Sequence, residues 1–379
     1  MKPPPHAQLL AGVTEEDIIE AVAKSGYPLQ AAISDRIHRS LKDYNISIQE
    51  EWGFVDAESG ETRALDIYAH APLIPSRYLP VESRITPWLN LLVECKHSEV
   101  PYIFFLRENY PAEVIYYPEI SGVPSLDITA FIEQDEKRDS RTLFQVSIHD
   151  ALMRHNIPFC NAPAPLAISI AKASRKGGGK LELSGEPYRS ITFPLMKAID
   201  HLKMILQPSK DRTDYTLHFI IGLVVIDAPM VGVYLHGSSH ELLSTPWVRA
   251  CRVDAEAPLE NYSRTPIDDG NVRYYDIIHS SFLPDYLELV LRDLGTASAR
   301  AMQIADVIAD GRGIMRVNKS SLFDFFPASD SHPQFSSSDS TSRGTRIAFT
   351  VPPIFKLAPP EQYPGSDCMH WLSPEDFGA

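Results

Sequence analysis

The chain has 379 residues, 44% of them hydrophobic and 22% charged, with a formal net charge of −14. It is long enough to bury a large core, no run approaches the roughly 18 apolar residues of a membrane helix, and the acidic excess weighs against a surface that grips nucleic acid everywhere, because phosphate contacts need Lys and Arg. The four cysteines, at 95, 160, 251 and 368, have no CxxC spacing, which argues against both a zinc knuckle and a disulfide framework. The N-terminal Met1-Lys-Pro-Pro-Pro-His6 has no apolar run or small-residue cleavage pattern, so cytoplasmic residence without a secretory signal is expected.

Thr14-Glu-Glu-Asp17 predicts a helix start with an acidic first turn, and Gly26 a stop. Pro28 suits the first turn of a second helix, where Leu29, Ala32, Ile33, Ile37 and Leu41 share an apolar stripe and Gln30, Ser34 and His38 lie on a neighbouring face. Ile46, Ile48, Trp52 and Phe54 mark a strand, and Asp56-Ala-Glu-Ser-Gly60 the turn of a hairpin. In the second strand of that hairpin, alternation puts Leu65, Ile67 and Ala69 on one side and Asp66 with Ala64 and Tyr68 on an exposed stripe. The segment Trp88–Lys96 is rich in strand formers yet ends in Glu94-Cys95-Lys96, so Glu94 and Lys96 project together while Val93 and Cys95 face the core.

Gly26-Tyr-Pro-Leu-Gln30, the hairpin ending Ala64-Leu-Asp66-Ile-Tyr-Ala69 and Leu92-Val-Glu94-Cys-Lys96-His-Ser98 together resemble the PD-(D/E)XK, or restriction-endonuclease-like, nuclease superfamily. The motifs cover about the first hundred residues. The resemblance implies that Asp66 and Glu94 bind Mg²⁺ or Mn²⁺, that the Cys95 carbonyl completes the metal shell, and that Lys96 orients or activates the attacking water. Hard oxygen ligands suit those ions, and phosphodiester hydrolysis needs what they supply. Two departures stand out: Gln30 takes the place of a glutamate that several branches carry on the helix before the hairpin, and Leu65 precedes Asp66 where the family name has proline. Glu51, on the polar side of the first strand, is a further candidate for negative charge at the site. The bland alternative is a surface salt-bridge cluster of Asp66, Glu94 and Lys96.

Farther along, Pro101–Leu106 predicts a strand and Thr142–Ile148 a strand leading into a helical turn, inside a proline-rich elaboration over 97–190. Pro194–Leu206 predicts an amphipathic helix, 215–226 a buried strand, Trp247–Val253 and Val272–Ile278 further strands, and Leu283–Leu294 a closing helix. Local basic sequence, which nucleic-acid contact requires, occurs in Lys172–Lys180, read as a glycine-rich loop, and in Arg36, His38, Arg39 and Lys42. There is no GxxxxGK[ST] or GxSxG sequence, and His201, His218, His236, His240 and His279 show no metal-ligand spacing.

The expectation is a mixed α/β sheet flanked by helices, with a restriction-endonuclease-like core and insertions over 1–310, and a C-terminal extension over 311–379 holding a Ser-rich flexible segment at 327–344 and a strand at 345–351. The expected activity is metal-dependent nuclease action on nucleic acid, DNA ahead of RNA, with a host-defence role by analogy. A homo-oligomer or a protein partner fits such a chain, and a non-catalytic scaffold or nucleic-acid-binding subunit is the alternative.

Overall fold

The computed structural model describes residues 12–74, 83–107, 117–132, 143–153, 157–161, 165–175, 179–209, 211–236, 239–253, 272–317, 323–326 and 370–371. Helix α1 (Glu15–Lys24) starts where the sequence predicts, closed by a capping box: Asp17 N–H donates to Thr14 Oγ1 (3.1 Å) and Thr14 N–H to the Asp17 carboxylate (2.8 Å). Helix α2 (Tyr27–Ser40) has Pro28 in its first turn. It buries Ile33 and Ile37 as expected, while Ala32 is exposed and Gln30 and Ser34 are turned inward.

The hairpin follows as β1 (Ser47–Val55) and β2 (Thr62–Pro72), and β3 (Ile85–His97) pairs antiparallel with β2. Buried Asp56 ties the hairpin turn by accepting from Glu58 N (3.1 Å) and from Arg63 Nε (2.9 Å). After β4 (Tyr102–Arg107), β5 (Glu119–Ser121), β6 (Asp127–Ile132) and β7 (Leu143–Ser147) come two short helices, α3 (Ile148–Met153) and α4 (Pro158–Asn161). Then follow β8 (Leu166–Arg175), β9 (Leu181–Ser184), the amphipathic helix α5 (Phe193–Ile205), and β10 (Tyr215–Asp227). The strands β11 (Met230–His236), β12 (Ser239–Ser244), β13 (Trp247–Val253) and β14 (Val272–His279) lead to α6 (Leu283–Gln303), which extends nine residues beyond the predicted Leu294, and to α7 (Ala305–Asp310). Last are β15 (Arg312–Val317), β16 (Phe323–Phe326) and β17 (His370–Trp371).

These strands form a large mixed sheet in the order β1-β2-β3-β10-β14-β13-β8-β4-β11-β12-β17, with helices against it, and a smaller sheet β16-β15-β6-β7. Strand β3 runs parallel to β10 along its whole length, from Ile85↔Tyr215 to His97↔Asp227, and β14 is parallel to β10 on the other side. The carboxyl ends of β3, β10 and β14 therefore meet at one rim, the location where open α/β sheets bind ligands.

Both faces of this region are buried, which is why β10 reads as an almost continuous apolar run. On one face Leu89, Leu91, Val93 and Cys95 pack in a core with Ile33 and Ile37 of α2 and with Leu287 and Val290 of α6. On the other, Leu92, Ile220 and Val224 pack with Leu195, Ala198, Ile199 and Leu202 of α5. Gly222 on β10 lets α5 come close: a Cβ there would stand 2.9 Å from Ile199 Cδ1.

The sheet also carries a buried ion pair that the sequence did not announce. Arg249 of β13 and Asp276 of β14 face each other in the antiparallel ladder and are bidentate, at 2.8 and 3.0 Å. Tyr286 Oη donates to the same carboxylate (2.7 Å), Arg249 Nη1 donates to the Cys160 carbonyl (2.8 Å), and the Tyr117 ring lies 4.1 Å from the guanidinium carbon. Among the described residues no helix is long and apolar enough to cross a membrane. The predicted Ser-rich segment 327–344 and the strand predicted over 345–351 lie outside the described residues.

Candidate functional site

The β2–β3 ladder registers from Pro72↔Trp88 to Ile67↔Val93 and stops there, one residue short of Asp66 on β2 and of Glu94 on β3. Continuing the ladder would have the Cys95 N–H bond to β2 backbone. Instead it donates to Asp66 Oδ2 at 2.6 Å. A side chain thus takes the position of a ladder bond where the two strands part, and its carboxylate is fixed in the wedge between them.

The expected alternation of the hairpin fails at this level, and the reason is local. Glu50↔Ile67 and Trp52↔Leu65 flank Glu51 and Asp66, which are not paired with each other, and Glu51 has φ +51°. A left-handed residue in a strand reverses the pleat at a cost of about 1–2 kcal/mol for a non-glycine. Ile46, Ile48, Ile67 and Ala69 therefore pack on the α2 side, whereas Trp52, Phe54 and Leu65 belong to the α5 side. Asp66 is half-buried rather than on an exposed stripe.

Glu94 is buried, 6% exposed, and Lys96 Nζ donates to its Oε1. Burial pushes the Glu94 carboxyl up to about 7, with the Asp66 and Glu51 charges adding to the push and Lys96 opposing it. Burial also raises the Asp66 carboxyl, against the Cys95 N–H bond and Lys96, and Glu51 pushes it the same way. Three carboxylates thus repel one another around a single ammonium group. Gln30 Nε2 donates to the Asp66 carbonyl (3.0 Å), so the amide at this helix position anchors backbone. Cys95 packs its thiol in the α2-side core, and burial holds that thiol far above its ordinary range, so it offers no thiolate.

Among the described residues no group of three or more His, Cys, Asp or Glu side chains is arranged to hold a metal. The donors that do converge, Asp66 and Glu94, are hard oxygens in the mutual repulsion a divalent cation relieves, and they fit Mg²⁺ or Mn²⁺ better than zinc.

Sequence reasoning passed over a neighbouring group. His97 Nδ1 lies 3.2 Å from Asp227 Oδ2, and Ser280 Oγ donates to Asp227 Oδ1 (3.1 Å). The available signal was adjacency to Lys96, together with the carboxylate that ends an otherwise apolar strand. The predicted basic segments are placed differently from one another: Arg36 donates to the Ser280 carbonyl at this rim (2.8 Å), whereas Lys172 and Arg175 belong to β8 rather than to a loop. That strand is four places from β3, about 19 Å away. Comparison of the chain with models of known protein families, with curated proteins and with solved structures finds no match in any of the three.

Proposed function

We propose that the protein is a divalent-metal-dependent nuclease with a PD-(D/E)XK-like site, hydrolysing phosphodiester bonds of nucleic acid, DNA ahead of RNA. The observation that carries this reading is the Asp66 carboxylate held by the Cys95 N–H just past the end of the β2–β3 ladder, beside Glu94, with Lys96 bonded to Glu94 on the same face. The helix–strand–strand–strand order leading to it supports the resemblance. Asp66 and Glu94 hold the ion, with the Cys95 carbonyl as a further oxygen ligand. The ion supplies charge compensation at the phosphate and a water acidic enough to attack near neutral pH. Asp66 is pre-oriented by the Cys95 N–H, and its backbone by Gln30. A cation bound there would favour the ionised form of Glu94, and Lys96, on the same face, would orient the attacking water and donate to a phosphate oxygen. A host-defence role is the corresponding biological proposal, by analogy with the superfamily.

A second reading is a non-catalytic scaffold or nucleic-acid-binding subunit acting through a partner. It draws on the absence of a three-donor group among the described residues and on the net charge of −14. Incubation with linear, circular and single-stranded DNA and with RNA, with and without Mg²⁺ or Mn²⁺, separates the two. Metal-dependent cleavage that Glu94→Ala abolishes is expected. Folded Asp66→Ala and Lys96→Ala proteins that cut at the wild-type rate overturn the site, and a wild-type protein inert on every substrate favours the scaffold.

A further inference from the structure

We propose that His97 is a second phosphodiester-binding position, next to the cleavage position at Asp66 and Glu94, and that Asp227 and Ser280 hold it there; this rests on the nuclease reading. Strands β3 and β10 end side by side with His97 opposite Asp227, and the end of β14 brings Ser280 to the same level. The His97 ring is tied through Nδ1 to one Asp227 oxygen (3.2 Å), and Ser280 Oγ donates to the other (3.1 Å). Arg36 reaches from α2 to the Ser280 carbonyl (2.8 Å), and Ser98 N–H donates to the Asp227 carbonyl (3.2 Å). Groups from α2, from β3 and the residue after it, and from the ends of β10 and β14 thus fix one imidazole whose side chain is 42% exposed.

Ordering an exposed side chain costs rotamer freedom, and an isolated exposed pair returns little for it. A carboxylate on Nδ1 leaves Nε2 directed away from the partner, the arrangement by which histidines are aimed at ligands. Each oxygen of Asp227 accepts one of these two bonds, so the carboxylate acts on the ring's orientation. Lys96 and His97 are consecutive and project to opposite sides of the strand. A nucleic-acid backbone crossing the end of β3 then meets Lys96 at the phosphate to be cut and His97 at the phosphate beside it. The Arg36 guanidinium adds positive charge on the His97 side in a chain that is acidic overall.

Steady-state cleavage, with anisotropy of a labelled oligonucleotide in EDTA, tests this. His97→Ala is expected to raise KM and weaken binding about tenfold, the value of one hydrogen bond to a charged group, with kcat within about twofold. His97→Gln, which keeps a donor, restores part of the loss. Asp227→Asn weakens binding less, and adds nothing in the His97→Ala background because it acts through the ring. Unchanged KM and binding in folded His97→Ala, or a loss confined to kcat, overturns this assignment while cleavage by the wild type leaves the nuclease reading standing. A wild type that neither binds nor cuts any nucleic acid overturns both.

Discussion

Between β13 and β14 the Arg249–Asp276 pair is wholly buried with its bonds in place, whereas at the end of β3 the Glu94 carboxyl is nearly as short of water and has Lys96 as its compensating charge. In the first region the guanidinium and carboxylate are matched fork to fork, and Tyr286 and the Cys160 carbonyl take up what remains. In the second, Asp66 and Glu51 raise the proton affinity of Glu94 instead of relieving it. Buried charge that is fully bonded specifies packing. Buried charge left in conflict is where a ligand changes the balance, and that difference is the physical ground for placing function at β3.

The largest effect that would sharpen this contrast is at the satisfied pair. Arg249→Leu leaves Asp276 buried without its counter-charge and is expected to cost about 3–5 kcal/mol in urea unfolding. The double replacement Arg249→Leu with Asp276→Leu is expected to recover most of it, because the desolvated carboxylate goes too. An Arg249→Leu protein as stable as wild type would break the comparison, since the network would then be holding nothing.

At the conflicted site the sign is reversed. The folded Glu94 carboxyl titrates at about 7 against 4.5 in the unfolded chain, so the folded state binds the extra proton between those values and loses stability as pH rises through them. The cost is fully present above about pH 7 and absent below about 4. Glu94→Gln is therefore expected to stabilise the metal-free protein by about 2 kcal/mol at pH 8 and by little at pH 4, while cleavage is lost. Denaturation midpoints at the two pH values decide it. A destabilised Glu94→Gln at pH 8 would mean that the carboxylate is satisfied in the same way as Asp276.

Much of this site was legible in the sequence because it depends on short-range rules. The helix start at Thr14, the turn at Asp56–Gly60 and the period-2 pattern of β3 are local, and they placed Asp66 on the strand beside the one whose end carries Glu94 and Lys96. What escaped was long-range or irregular. The left-handed conformation of Glu51 reverses the pleat, and periodicity cannot see it from a glutamate. The parallel pairing of β3 with β10 joins residues about 130 positions apart, so the meeting of His97 with Asp227 had no local signature. The same limit hid the inclusion of β4 and β8 in the main sheet, inside a segment that reads as a proline-rich elaboration.

The smallest predicted effect tests how rigidly the site is held. Gln30 is the place where a glutamate is expected from the resemblance, yet its amide donates to the Asp66 carbonyl from a buried position. Gln30→Ala removes one buried bond, for about 1 kcal/mol of stability, and frees the Asp66 backbone. Metal affinity, read by calorimetry with Mn²⁺, is expected to fall in step. Gln30→Glu is the sharper variant because it exchanges a donor for an acceptor facing that carbonyl. It is expected to be less stable than Gln30→Ala without metal and to regain stability when Mn²⁺ is added, since a third hard oxygen is then useful. If Gln30→Glu were the more stable of the two in EDTA, the amide would not be anchoring Asp66, and the contrast between a fixed wedge and an idle surface cluster would lose its support.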